Sequence, residues 1–357
     1  MTPLFAGTVQ THFGGYAPDR SDRHEVTAAL RHCLREATVL DEANFDGILV
    51  AERHGRSECV APDPLGLLAA IAAVTSRAFL GTYVHLPLLH HPIGTAEQFA
   101  QLDALSGGRA VAGLGAGFHP DYFDLFGAPA ERRLTRLVEV VGILRAAWAG
   151  QVIDTEWAGR SLRGEVHPRP VEGQIPIWIG AQFPKAIAAA GRIGDGWAVA
   201  FPFDQPTWDA HWASYTREAE AAGRRPVSVL SRHCWVADSR ETAEQRYAPL
   251  WLTEQRYYWD RGQLHHRDFT SAADFTIANA GPNLVLGTPE QCAEQLVDLV
   301  RNWRVDVVKI ASRVPLGPEP AEVLENWQRI GTEVLPLVRH ELTGTSTPPP
   351  RPRDLLL

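Results

Sequence analysis

Short apolar runs alternate with longer amphipathic stretches along the chain. Phe5–Gln10, Phe45–Glu52, Phe79–Leu86, Arg109–Gly117, Ile175–Ala181, Gly196–Phe201, Val227–Ala237 and Val305–Ser312 read as strands. Several, such as VDVVKIA and IPIWIGA, are almost continuously apolar, the pattern of strands buried on both faces. Between them Glu25–Ala43, Pro64–Ser76, Ile93–Leu105, Glu131–Trp148, Pro184–Arg192, Pro206–Ala222, Glu241–Gly262 and Pro289–Trp303 read as helices, with a last one over Pro320–Val338. Helix starts are marked: Thr288-Pro289-Glu290 offers an N-cap, a proline at the first helical position and an acid in the first turn. Eight strands, each followed by a helix, is the count of an α/β protein of the (β/α)8 TIM-barrel type.

One connection breaks the rhythm. About 65 residues separate the seventh strand from the eighth, more than one barrel helix requires. The excess, residues 238–285, is rich in aromatic side chains and histidine. Long connections at the C-terminal ends of barrel strands lie over the active-site face. This insertion is therefore expected to form a lid or a substrate wall; an extra helix on the barrel's outside is the plainer reading. Residues 1–344 would form one barrel domain. The end, 345–357 (TSTPPPRPRDLLL), reads as a proline-rich flexible tail.

Composition narrows the function. The chain has 357 residues, of which 45% are hydrophobic, enough for one large core. A net charge of −8 without a basic stripe argues against nucleic acid as partner. Cys33, Cys59, Cys234 and Cys292 lie far apart and form no CxxC pair, so no metal site or redox motif is expected. Isolated thiols, a first segment without a basic and apolar leader pattern, and no apolar run near the length of a membrane span point to a cytoplasmic protein.

Two segments carry candidate chemistry. Gly113-Leu-Gly115-Ala-Gly117 looks like half of a dinucleotide fingerprint, but such a loop should open a helix directly, and Phe118-His119-Pro120 follows. Pro120 argues against an immediate helix. The glycines are instead expected to let the strand end approach a flat ligand without Cβ obstruction. The second segment, Gly81-Thr-Tyr-Val-His-Leu-Pro-Leu-Leu-His-His-Pro92, places Tyr83, Val84 and His85 at the catalytic end of the third strand.

The stretch GTYVHLPLLHHPIGTAEQFAQLDALSGGRAVAGLGAGFHPDYFDLFG resembles the bacterial-luciferase-like flavin-dependent monooxygenases. Ile175–Gly180, Ala189–Trp197 and Leu286–Pro289 resemble that family's fifth, sixth and closing segments. The resemblance spans about residues 5–340 in order. It implies a two-component enzyme: a separate flavin reductase supplies reduced FMN, and oxygen activated as a flavin 4a-hydroperoxide oxygenates a small organic substrate. It also implies a non-proline cis peptide at Tyr83–Val84 that props the flavin ring. The phosphate would sit at Gly180, Ala181 and Gln182, before a helix whose free N–H groups and Lys185 suit an anion. Gly115, Ala116 and Gly117 would line the flavin, with Trp197 nearby.

There are departures. A family arginine for the phosphate corresponds to Ala116; Arg132 or Arg133 could replace its charge. The family's Glu-His-His after the second strand reads Glu52-Arg53-His54 here, and Arg53 cannot serve as a base at neutral pH. Glu52, His54, His12 and His85 are the acid–base candidates. Two other readings stay open: a deazaflavin-dependent hydride-transferring oxidoreductase, and a non-catalytic flavin-binding relative. Tyr257, Tyr258, Trp259, Phe269, Phe201 and Phe203 suggest an apolar or aromatic substrate. Members of the family often form homodimers.

Overall fold

The computed structural model describes residues 3–9, 23–56, 59–199, 204–260, 271–280, 283–314, 317–349 and 353. His12, Phe201, Phe203 and Phe269 lie outside the described residues.

In chain order the strands are β1 (Leu4–Thr8), β2 (Gly47–Val50), β3 (Phe79–Thr82), β4 (Ala110–Gly115), β5 (Ile153–Trp157), β6 (Arg160–Gly164), β7 (Ile177–Gly180), β8 (Gly196–Val199), β9 (Ser228–Val236), β10 (Leu284–Gly287) and β11 (Val307–Ala311). The helices are α1 (Arg23–Glu42), α2 (Pro64–Ala72), α3 (Pro92–Leu105), α4 (Pro120–Phe126), α5 (Arg133–Trp148), α6 (Pro184–Ile193), α7 (Gln205–Ala221), α8 (Arg240–Trp259), α9 (Ile277–Ala280), α10 (Pro289–Trp303), α11 (Pro320–Arg329) and α12 (Leu335–Thr343). Proline opens many of them, where its missing N–H costs nothing and its fixed φ suits the first turn.

Eight strands close a parallel barrel in the order β1-β2-β3-β4-β7-β8-β9-β11, with β11 back against β1. The expected (β/α)8 TIM barrel is the observed fold. Alternation along each strand divides the side chains. Leu4, Ala6, Leu49, Phe79, Val111, Trp178, Ala198, Val229 and Val307 fill the barrel, with Tyr83 packed on them. Their neighbours, among them Phe5, Ile48, Leu80, Ala112, Ile177, Trp197 and Val308, face the helices.

Three features differ from the sequence reading. A strand stands inside the long insertion: β10 pairs with His233–Val236, the upper half of β9, above the part of β9 that pairs with β11. With α8 it encloses a second small core that includes Trp235, Tyr247, Trp251, Leu284 and Leu286. A helix, α4, does begin at Pro120, because proline at the first helical position obstructs nothing. The β5–β6 hairpin was not anticipated.

The tail is not wholly free. Arg353 is buried and donates to the carbonyls of Gly108, Ala110 and Gln174 at the barrel's N-terminal end. Among the described residues no helix is long and apolar enough to cross a membrane.

Candidate functional site

β2 and β3 deliver their following residues to the C-terminal mouth, where the backbone leaves the ladder. Tyr83 N still bonds to Val50 O at 2.8 Å. The next peptide, Tyr83–Val84, is a non-proline cis bond, as the resemblance implied. His85 then rejoins β4, exchanging backbone hydrogen bonds with Gly113 and Gly115. Tyr83 and Val84 are left half-buried at the mouth. The Tyr83 hydroxyl reaches across the barrel and donates to Val199 O at 2.8 Å.

Glu52 is the hub of the mouth, and its side chain is fully buried. Oε1 lies 2.6 Å from His54 Nε2 and 2.7 Å from His90 Nε2. Oε2 accepts the N–H of Leu86 at 2.8 Å. His85 Nδ1 approaches Oε2 to 2.5 Å, off the hydrogen-bond axis, and its Nε2 is buried without a partner. Burial alone would raise the Glu52 pKa; the hydrogen bonds with His54 and His90 and the close approach of His85 outweigh it and hold the carboxyl well below its ordinary range. His85 and His90 stack with centroids 4.7 Å apart. His54 packs 4.5 Å from Phe126 and edge-on to Tyr122. Glu52, His85 and His90 each offer a donor atom within 4.8 Å of the others, a spacing that a metal ion could bridge. As it stands, hydrogen bonds already engage both Glu52 oxygens.

The structure brings Glu52, His54 and His85 together and adds His90, which the sequence reading quoted but did not single out. Its signal was its place in LLHHP, just past the third strand.

The glycines of β4 have a different role from the expected one. A Cβ on Gly113 would meet Thr82 O at 1.9 Å, and one on Gly115 would meet Val84 Cγ2 at 2.6 Å. They make room for the end of β3 and the segment that follows it. Gly117 has φ 71°, which favours glycine. Ala116 lies beside it, partly buried against the core. Of the two arginines, Arg133 comes to this strand end: its Nη1 donates to Gly117 O at 3.1 Å.

After β7, Gly180, Ala181 and Gln182 lead into α6. No side chain caps α6, so its first N–H groups are free of intrahelical partners. Gln182 Nε2 is buried without a partner, and Lys185 is exposed on the first turn. Trp197 departs from expectation. It lies on the helix-facing side of β8, fully buried, stacked on Trp208 at 5.1 Å. Its indole N–H donates to Ala181 O at 2.9 Å, so it fixes the loop from behind and does not face the mouth.

Lys309, also absent from the sequence reading, points inward from β11. Its Nζ lies 5.4 Å from the Tyr83 ring centroid. A lone lysine in VVKIA, an otherwise apolar strand, was the available signal. From the insertion, Tyr258 in α8 lies under the Arg56 guanidinium, 5.9 Å from the ring centroid, which ties α8 to the loop after β2.

The C-terminal mouth of the closed barrel thus combines a histidine-bearing buried carboxylate with an uncapped helix start. Residues 11–306 match the model for luciferase-like monooxygenases, and the chain belongs to that family. Over 178 residues it is 34% identical to the F420-dependent glucose-6-phosphate dehydrogenase of Beutenbergia cavernae, a match covering 47% of this chain and 52% of that one. The chain thus spans about half the length of that curated relative. It is 24% identical over 323 residues to the 5,10-methylenetetrahydromethanopterin reductase of Methanolobus tindarius, covering 84% and 94% of the two chains. Among solved structures, the monooxygenase RslO1 from Streptomyces bottropensis aligns with a TM-score of 0.78 at 25% identity, covering 93% of this chain and 99% of that one.

Proposed function

We propose that the chain is a flavin-dependent monooxygenase working with reduced FMN from a separate reductase. The nearly full-length likeness to a monooxygenase is the observation that carries this reading. The mouth fits the cofactor: Gln182 Nε2 and His85 Nε2 are buried polar atoms without partners, and α6 presents an uncapped N-terminus. Bound there, reduced FMN would supply the activation of oxygen.

The protein's own part is positioning, water exclusion and proton handling. Tyr83 and Val84 would back the ring. Gln182, Lys185, the first turn of α6 and Arg133 would hold the phosphate. Glu52 fixes His54, His85 and His90, and the stacked pair leads from the buried carboxylate to the half-exposed His90. That array can hold or move a proton at His85 Nε2. The insertion, whose Tyr258 lies under the Arg56 guanidinium, would close the mouth as a lid.

A second reading is hydride transfer with the deazaflavin F420, favoured by the 34% identity to a relative named for that cofactor. Turnover with a flavin reductase, FMN and oxygen-18 gas separates the two. The first reading predicts labelled oxygen in the product. Oxygen-independent turnover of F420, without label incorporation, favours the second.

A further inference from the structure

Glu52, His85 and His90 reach the mouth from the ends of two adjacent strands and crowd one point. Glu52 follows β2, and the two histidines follow β3 on either side of the Pro87–Leu89 turn. One side-chain donor atom of each lies within 4.8 Å of the other two. Among the described residues no other three histidine, cysteine or carboxylate side chains converge in this way. Packing holds the rings: His85 lies edge-on to Phe99 and His90 edge-on to Phe126, each with centroids 5.7 Å apart.

Hydrogen bonding does not account for His85. The residue is 1% exposed, and neither ring nitrogen has a hydrogen-bond partner. A polar group is costly to bury in that state. Its Nδ1 lies 2.5 Å from Glu52 Oε2 without being aimed at it, whereas a hydrogen bond needs the N–H directed at its acceptor. Two ligands of one ion behave differently: their lone pairs converge on a third point between them. Around a zinc-sized ion, with bonds of about 2.0–2.2 Å, tetrahedral neighbours stand roughly 3.3–3.5 Å apart. His90 Nε2 lies 2.7 Å from Glu52 Oε1, so both gaps would open by no more than about 1 Å to admit the ion.

The other contacts do not block this. Each carboxylate oxygen has two lone pairs. The Leu86 N–H on Oε2 and His54 Nε2 on Oε1 can remain as outer support, the hydrogen bonding that metal-binding carboxylates usually have. Each ligating imidazole must carry its proton on its other nitrogen. His85 Nε2 has no partner and His90 is half-exposed, so both rings can do so.

We infer that Glu52, His85 and His90 form a binding site for a divalent transition-metal ion of the zinc and cobalt class. Two imidazoles and a carboxylate suit such ions, not magnesium or calcium, which take oxygen donors. Three protein ligands leave a coordination position open, and the half-exposed His90 gives the ion a way in. The inference goes beyond the flavin reading and does not depend on it. The ion would take the lone pairs that the proton array uses, so the ion-loaded and proton-handling forms exclude each other.

The full chain, stripped with a chelator, is titrated calorimetrically with zinc chloride and, in parallel, with cobalt chloride followed by visible absorption. One equivalent of either ion should bind, cobalt showing the d–d bands of a nitrogen and oxygen site, while magnesium chloride gives no binding. Affinity should fall at least about tenfold in Glu52→Gln and in His90→Ala, since even the loss of outer support costs roughly 10–100-fold. His340→Ala, exposed in the last turn of α12, should bind as the parent does. Zinc should raise the Tm of the parent and leave that of His90→Ala unmoved, with circular dichroism reporting that the variant is folded.

A parent that binds neither ion would overturn the inference. So would binding unchanged in both Glu52→Gln and His90→Ala, or a thiolate charge-transfer band in the cobalt spectrum, because either places the ion elsewhere.

Discussion

Glu52 Oε2 accepts the backbone N–H of Leu86 at 2.8 Å, which ties the end of the second barrel strand to the segment that follows the third. One carboxylate therefore shapes the mouth twice, through this backbone contact and through its histidines. Glu52→Gln keeps the shape but sets an N–H₂ donor among other donors. It should lower stability by about 1–3 kcal/mol in urea unfolding at neutral pH. Because the folded-state pKa of Glu52 is depressed, its contribution is complete above the ordinary carboxyl value of 4.5 and is lost as pH falls below it. The gap between the two proteins should narrow only in that acidic range. An equal gap at all pH values would contradict the role given to the charge.

The β4 glycines are tested by alanine. Gly113→Ala sets a Cβ 1.9 Å from a backbone oxygen, and Gly115→Ala sets one 2.6 Å from Val84. Overpacking of this kind costs about 1–3 kcal/mol, more where backbone must move, so Gly113→Ala should be the worse of the two. Gly142, in the interior of α5 with nothing within 4 Å, is the control. Gly142→Ala should raise stability by about 0.5–1 kcal/mol through helix propensity. Thermal melts of the three variants check the order.

Lys309 is held close to neutrality at a cost. Its pKa falls from 10.5 to about 7 on folding, so the unfolded chain binds the extra proton between those values. Stability therefore suffers most at and below about pH 7 and recovers as pH rises toward 10.5. Lys309→Met should be more stable than the parent by roughly 1–4 kcal/mol at neutral pH, with the advantage shrinking in alkaline buffer. Unfolding at a series of pH values reads this directly; a methionine variant less stable at neutral pH would be the contrary result.

Arg133 and Lys185, proposed for the phosphate, are half-buried and exposed, so their effects should be modest. Arg133→Gln and Lys185→Gln should each weaken FMN binding by about 2–10-fold and leave riboflavin unchanged. Equal losses for both ligands would place these residues elsewhere.

The barrel was readable because its strands are apolar on both faces and its helices begin at prolines. The strand ends were not. Tyr83 to Leu86 continues the apolar run of β3, yet the chain leaves the ladder there, and local pattern does not encode that turn. β10 was hidden in an aromatic insertion of mixed periodicity. At the site, Glu52, His54 and His85 were legible from motif position, whereas their convergence on one carboxylate is tertiary. Trp197 was misplaced because alternation along β8 sends it outward while its glycine neighbour faces in. Lys309 was passed over because one charge in an apolar strand looks like noise until the strand is set in a barrel.

The central claim is that the mouth around Tyr83 and Val84 holds a flavin-type cofactor. Anaerobic titration of the full chain with reduced FMN and with reduced F420, repeated on Gly115→Ala, tests it most directly. The account predicts saturable one-to-one binding of at least one of them, weakened in the variant while its fold is retained. Binding of neither, or binding indifferent to Gly115→Ala, would contradict it.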